Sequence, residues 1–276
     1  MADFDALWDF SNPVGTEARF RAYDASGAEA LELRTQIART LGLQQKFAEG
    51  HAELDAVDRA DSAGPRARIR AALERGRLHN SSGDRVAARR FFDTALTLAE
   101  AAREDNLAVD AAHMIAIAAP SESIEWNERA LALSAGSADP KARAWRGSLL
   151  NNLGWSYHDM KDYPMALALF EDAIAFRKEQ GKADEIRVAE WCFARTLRSL
   201  GRLEEALSIQ ERLEAEGTQD GFVSEELGEL LLLLGRKEEA RPKLARAHEL
   251  LSKDPWLQRD EPARLDRLAR LASGQE

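Results

Sequence analysis

Residues 148–176 decide how this chain folds, and they read SLLNNLGWSYHDMKDYPMALALFEDAIAF. In the first half, apolar and small residues recur at the three- and four-residue spacing of one helix face, namely Leu150, Leu153, Gly154 and Tyr157. A turn follows at Lys161 and Asp162. The same spacing then resumes at Tyr163, Ala166, Phe170 and Ala173. Because small residues alternate with large ones, two helices can approach closely, so the stretch predicts two short helices folded back on each other.

The order of these residues resembles the tetratricopeptide repeat (TPR). In that repeat a small residue follows a leucine, a tyrosine comes less than one helical turn later, and the returning helix carries alanine, a large apolar residue and alanine. The resemblance implies an all-α fold, a TPR-like right-handed superhelix (α-solenoid) in which each helix pair packs only against its neighbours. It also implies that the protein works by binding other proteins.

Weaker copies of the pattern cover most of the remaining chain. We predict about six helix pairs, at residues 28–60, 65–104, 106–137, 141–180, 182–216 and 219–252. Phe47 marks the second helix of the first pair, and Ser123 replaces the expected alanine in the third, which makes that pair the weakest match. Residues 1–27 are predicted to cover one end of the stack, with a short helix beginning near Thr16, and residues 254–276 to form a C-terminal capping helix.

The composition favours an acidic protein that works inside the cell. Lysine plus arginine number 38 against 48 aspartate plus glutamate, a formal net charge of −10, so the surface as a whole repels nucleic acid and anionic lipid. Cys192 is the only cysteine, which excludes an intramolecular disulfide and a thiolate metal cluster. The amino terminus lacks a secretion signal, and no apolar run reaches the roughly 18 residues of a membrane span. We therefore expect a soluble, cytoplasmic protein that binds no membrane.

No motif for catalysis or cofactor binding is apparent. Neither phosphate-binding glycine pattern occurs, and no two of the five histidines are one helical turn apart, as a zinc site on one helix requires. Cys192 lies between Trp191 and Phe193 in a predicted helix, where burial is the expected state of the thiol. We predict no enzyme activity, no cofactor and no metal. The competing hypothesis is a regulatory or catalytic protein that uses the repeats as a platform for an activity that the sequence does not identify.

Positive charge clusters in one part of the chain, residues 65–90. The arginines there are spread around a helix and interrupted by Glu74, and the acidic residues Asp84 and Asp93 follow. This mixture favours a solvated face with ion pairs over a track for phosphates. We therefore predict that the protein binds no nucleic acid.

The TPR resemblance also predicts which side chains face a partner. In TPR stacks the first helix of each pair lines the concave side. The residues at those positions in the second, fourth and fifth pairs are Arg77, Asn80, Asn151, Trp155, His158, Trp191, Arg195 and Arg198. Arginine and asparagine hydrogen-bond carboxylates and peptide groups, and tryptophan supplies flat apolar area. We expect a scaffold or adaptor that binds a peptide or partner helix in the concave groove, with an acidic or carboxylate-bearing ligand.

Two further expectations concern the packing and the solvent exposure of these side chains. Trp155 and Trp191 have an alternative role, which is to pack between neighbouring helices. Arg195 and Arg198 are expected to be exposed. Reversing both charges should then abolish partner capture and barely change the melting temperature, because exposed charges contribute little to stability.

Overall fold

The computed structural model describes residues 4–217 and 220–274 of the chain. Within these two ranges the regular elements are helices, and no strand is present. The chain forms two compact units, of which the first ends at Leu149 and the second begins at Leu150. The predicted all-α class is therefore confirmed.

The first unit consists of helices joined by short turns, after a 3-10 turn at Phe4–Leu7. The helices are α1 (Pro13–Ala22), α2 (Gly27–Leu43), α3 (Phe47–Asp58), α4 (Pro65–Ser81), α5 (Arg85–Ala102), α6 (Asp105–Ala118), α7 (Ser123–Gly136) and α8 (Pro140–Ala144). From α2 to α7 each helix packs against the next one in the chain, and α2 also packs against α4. These are the contacts expected of helical hairpins whose first helices lie side by side.

The second unit repeats this arrangement. A helix that begins in the last residues of the first unit, α9 (Arg146–Asp159), leads into it. The helices that follow are α10 (Tyr163–Gln180), α11 (Ala183–Ser199), α12 (Leu203–Ala215), α13 (Gly221–Leu233), α14 (Lys237–Leu251), α15 (Pro255–Asp260) and α16 (Pro262–Ala272). From α10 to α14 each helix packs against the next, and α16 packs against α14.

Close packing within the hairpins depends on glycines that face large side chains. The three pairs are Gly76 with Phe92, Gly154 with Phe170, and Gly228 with Leu244. A Cβ atom at Gly154 would lie 2.7 Å from the Cε1 of Phe170, closer than two carbon atoms can approach. The space beside Gly154 is therefore filled by the buried Phe170 ring.

The turn inside several hairpins requires a left-handed backbone. Gly83, Gly201 and Gly235 have φ angles of 93°, 79° and 76°, which glycine adopts without a steric penalty. Lys161, where the sequence predicted a turn, has φ 64° in the turn between α9 and α10. That turn therefore has the same backbone geometry without the glycine.

The amino-terminal segment packs onto the first hairpin. Its helix α1 begins at Pro13, earlier than the sequence predicted, because the Oδ1 of Asn12 accepts a hydrogen bond from the Gly15 amide at 2.9 Å and caps the helix. Phe4 and Phe20 are buried against apolar side chains of α2. This packing removes the outer face of α2 from water.

The carboxyl-terminal segment contains the predicted capping helix, α16, which begins at Pro262. The short helix α15 precedes it, because Pro262 cannot donate a backbone hydrogen bond and suits only the first turn of a new helix. Leu265 and Leu268 of α16 are buried in the core of the second unit. Parts of three predicted segments lie outside the described residues, namely residues 1–3, 219 and 275–276.

Two helices bury further residues beside those that the sequence pattern marked. In α3 the buried residues are Gly50, Leu54 and Val57, and the partly buried Phe47 packs against the same core. In α7 the buried Asn127 stands where the pattern places a large apolar residue, and its amide donates to the Ser123 carbonyl at 2.9 Å. The division of the chain into six repeats stays a prediction.

Candidate partner-binding surface

The structure brings six of the predicted site residues together on α9 and α11 of the second unit. They are Asn151, Trp155, His158, Trp191, Arg195 and Arg198. The ring centroid of Trp155 lies 6.1 Å from that of Trp191 and 5.5 Å from that of Phe170. Both indoles are half-buried. They therefore pack between helices and also leave part of their aromatic surface exposed, and their contact with a partner stays a prediction.

Polar contacts join the same two helices. The Nε2 of His158 lies 3.0 Å from the Oγ of Ser199, and the Nη1 of Arg195 donates to that hydroxyl at 2.9 Å. Burial, together with the neighbouring Arg195, lowers the pKa of His158 below its usual value. The imidazole is therefore neutral at pH 7. Sequence reasoning missed Ser199, which links His158 to Arg195.

Both predicted arginines of α11 are ion-paired with a glutamate of α13. Arg198 donates to the two carboxylate oxygens of Glu226 at 2.7 and 2.9 Å, and the Nε of Arg195 lies 3.0 Å from the Oε1 of the same residue. The Glu226 side chain is only 6% exposed. The expectation that these arginines are free and exposed is therefore wrong, because the fold places a buried carboxylate between them.

Arg77 of the first unit is paired in the same way. Its Nη2 donates to both carboxylate oxygens of Asp110, at 2.5 and 2.7 Å, and its Nη1 donates to Glu74. Burial raises the pKa of Asp110, but the charges of Arg77 and Arg39, together with the hydrogen bond from Arg77, outweigh it and hold that pKa below its usual value. Asn80 lines a cleft of about 180 Å³ beside this pair, together with Arg39. Arg77 thus joins α4 to α6, and both Arg77 and Asn80 line the cleft.

Ion pairs of this kind also link other neighbouring helices within each unit. In the first unit the Nε of Arg66 donates to Glu32 at 2.9 Å, and in the second the Nε of Arg264 donates to Glu225 at 2.9 Å. Sequence reasoning missed these pairs, although a signal was present. Arg66 and Glu32 are 34 positions apart, and Arg77 and Asp110 are 33 apart, which is close to the repeat length of about 34.

Three further observations bear on thiol reactivity, metal binding and membrane insertion. Cys192 is buried, and burial raises the pKa of its thiol to about 12, so the sulfur stays protonated at pH 7. Over residues 4–217 and 220–274, no three histidine, cysteine, aspartate or glutamate side chains are grouped as metal ligands. None of the helices in these ranges combines the length and the apolar character needed to cross a bilayer.

Three buried polar atoms at this surface have no hydrogen-bond partner within the described part of the chain, namely the Oδ1 of Asn151, the Nδ1 of His158 and the Nε1 of Trp191. Asn151 precedes Trp155 by one helical turn, so the two side chains share a face of α9. Buried polar groups in folded proteins nearly always have a partner. We call Asn151, Trp155, His158 and Trp191 the amide–aromatic surface.

Comparisons with known proteins agree with this architecture. Residues 147–179 match the family model described as tetratricopeptide repeat. No curated protein sequence matches the chain. Many solved structures share the fold. A tetratricopeptide repeat protein from Parabacteroides merdae ATCC 43184 is 15% identical, and the match covers 98% of this chain and 97% of that one with a TM-score of 0.59.

Two further solved structures cover nearly the whole chain. The apo form of RapI is 9% identical, with a TM-score of 0.70 over 97% of this chain and 79% of its own. NprR, solved in complex with its cognate peptide NprX, is 16% identical, with a TM-score of 0.57 over 98% of this chain and 83% of its own. At these identities the likeness concerns the fold alone. Residues 147–179 thus match a tetratricopeptide repeat, and the chain as a whole shares the helical-hairpin fold of tetratricopeptide-repeat structures.

Proposed function

We propose that this protein is a scaffold or adaptor that binds a partner peptide on the amide–aromatic surface of α9 and α11. One observation carries the proposal, which is that a buried amide oxygen and a buried indole N–H lack hydrogen-bond partners among the described residues, on helices whose half-buried tryptophans touch each other. A peptide backbone offers a donor for the Asn151 oxygen and an acceptor for the Trp191 nitrogen. The tryptophans add apolar contact area at little conformational cost.

The comparisons support the same class of function. NprR, which shares the fold, was solved with a bound peptide, and TPR proteins in general are non-catalytic interaction modules. We also propose that the protein is not an enzyme and that it is located in the cytoplasm. The expectation of an acidic ligand remains a prediction. Its original basis is weaker, because Arg195 and Arg198 are both ion-paired with Glu226, which offsets one of their two positive charges.

Removing the unpaired amide should weaken peptide binding without weakening the fold. For peptides selected from a random display library on the full chain, we expect Asn151→Ala to raise Kd about threefold to tenfold, the effect of about one lost hydrogen bond. Stability should change little, because the Asn151 oxygen has no partner within the described residues. Fluorescence anisotropy of labelled peptides measures Kd, and circular dichroism measures the melting temperature.

The neighbouring Asn152 supplies a matched control, because it is the same residue type on the same helix but about 100° around the axis. Asn152→Ala should leave Kd unchanged. If the library yields no binder above background, or if the two alanine variants bind selected peptides equally well, the proposed function is wrong.

Nucleic acid is not expected to bind, despite the arginines of residues 65–90. Several are neutralised within the first unit, since Arg75 donates to Asp55 and Asp58, and Arg89 pairs with Asp93 and Glu122. The net charge of −10 also opposes phosphate. We expect no measurable shift in anisotropy with labelled single-stranded or duplex DNA or RNA at physiological salt. A micromolar affinity that falls steeply with salt would contradict this prediction.

A further inference from the structure

A pocket of about 440 Å³ opens in the second unit between α11 and α13. Its wall is formed mainly by apolar side chains, namely Val188, Trp191, Leu213, Phe222 and Val223. The volume falls within the roughly 300–1,000 Å³ of typical ligand-binding pockets. Val188 is 56% exposed and Phe222 is 36% exposed. The pocket is therefore open to solvent and large enough to receive an apolar group from outside.

Trp191 joins this pocket to the amide–aromatic surface. Its ring lies 6.1 Å from Trp155 on one side and 6.2 Å from Phe222 on the other, measured between centroids. Its buried Nε1 lacks an acceptor within the described residues. A peptide that crosses α9 and α11 would thus reach the pocket along a continuous row of aromatic rings.

The rim of the pocket carries an excess of negative charge. Of its three charged residues, Arg187 is paired with Asp184. The Oδ1 of Asp220 accepts the Phe222 amide at 2.8 Å and caps α13, but its carboxylate has no ion-pair partner among the described residues. Arg264, which stacks over the Phe222 ring at 5.3 Å, is held by Glu225 and Glu261. A free carboxylate at the mouth of an apolar pocket favours a cation beside an apolar group.

We propose that this pocket binds a large apolar side chain of the partner peptide, and that Asp220 selects a lysine or arginine next to it. The inference rests on the proposed function and deepens it, because it names the residues by which the bound peptide is recognised. An aromatic or long aliphatic side chain fills the space lined by Val188, Leu213 and Phe222. A peptide carbonyl accepts from the Trp191 indole, and the neighbouring ammonium or guanidinium group meets the Asp220 carboxylate.

The test uses the full chain labelled with ¹⁵N and three probes, the N-acetylated dipeptide amides Phe-Lys, Phe-Glu and Ala-Lys. Millimolar probes suit this test, because NMR detects weak binding. We expect Phe-Lys to shift the Trp191 indole N–H signal in a saturable manner, Phe-Glu to do so at about two- to fivefold higher concentration, and Ala-Lys to cause no shift. If Phe-Lys leaves this signal unmoved, the proposal is wrong.

Two variants, of which one has a matched control, locate the effect. Val188→Lys should abolish the shift, whereas Leu233→Lys should not, because Leu233 is 57% exposed on α13 and does not line the pocket. Asp220→Asn keeps a residue that caps helices well and removes the charge, so the preference for Phe-Lys over Phe-Glu should disappear. Equal effects of the two lysine variants, or an unchanged preference in Asp220→Asn, would contradict the assignment.

Two further measurements distinguish a peptide side-chain pocket from a small-molecule site and from the amide–aromatic surface. If indole alone shifts the Trp191 signal at the same concentration as Phe-Lys, the pocket is a small-molecule site and the peptide assignment fails. Asn151→Ala should leave the dipeptide shift unchanged, since Asn151 does not line the pocket. If library peptides depend on Asn151 while the dipeptides do not reach Trp191, the proposed function stands and the pocket assignment falls.

Discussion

Replacing Gly154 with leucine is expected to lower the free energy of unfolding of the second unit by roughly 3 kcal/mol or more. Even a single added carbon at this position would lie 2.7 Å from the Phe170 ring. That ring is fully buried and has no room to move aside. The better helix propensity of leucine returns only about 1 kcal/mol. Thermal and denaturant unfolding followed by circular dichroism measure the change.

Two further variants test whether the cause is the contact with Phe170. Asp159→Leu adds leucine to an 83% exposed position of the same helix and should change stability by less than about 0.5 kcal/mol. Gly154→Leu combined with Phe170→Ala exchanges the small and large partners, so it should recover part of the lost stability. A single Gly154→Leu variant that melts like the unchanged protein would show that α9 and α10 do not pack through this glycine.

Reversing two charges, in the variant Arg195→Glu with Arg198→Glu, is expected to destabilise the second unit by roughly 3 kcal/mol or more. This is the opposite of what the sequence alone predicted. The change places three carboxylates where Glu226, a nearly buried side chain, now pairs with both arginines. Loss of partner capture by this variant would then report unfolding. Melting temperature and peptide affinity therefore have to be measured together.

An exposed ion pair supplies the control for this experiment. Arg202 and Glu205 pair at the surface with side chains about half exposed, so Arg202→Glu should change stability by less than about 1 kcal/mol. Adding Glu226→Arg to the double variant restores opposite charges across α11 and α13 and should recover part of the stability. If the double reversal leaves the melting temperature unchanged, the ion pairs with Glu226 do not stabilise the fold.

The helical fold could be predicted from the sequence, because it is encoded in local spacing. Gly154 and Phe170 lie on neighbouring helices joined by a short turn, so one short stretch contains both halves of their contact. Apolar residues at steps of three and four specify which face of each helix is buried. The same spacing placed Trp155 and Trp191 on first helices, where the structure has them.

The ion pairing of the candidate site residues and the pocket beside them depend on tertiary packing. Arg198 and Glu226 are 28 positions apart, and no local pattern tells an arginine that binds a partner from one that binds the next helix. The pocket beside Trp191 likewise draws its wall from three different helices. Helix spacing assigns a residue to a face of its own helix. Which charges meet across helices depends on the packing of the whole unit, since electrostatic pairing requires contact within about 4 Å.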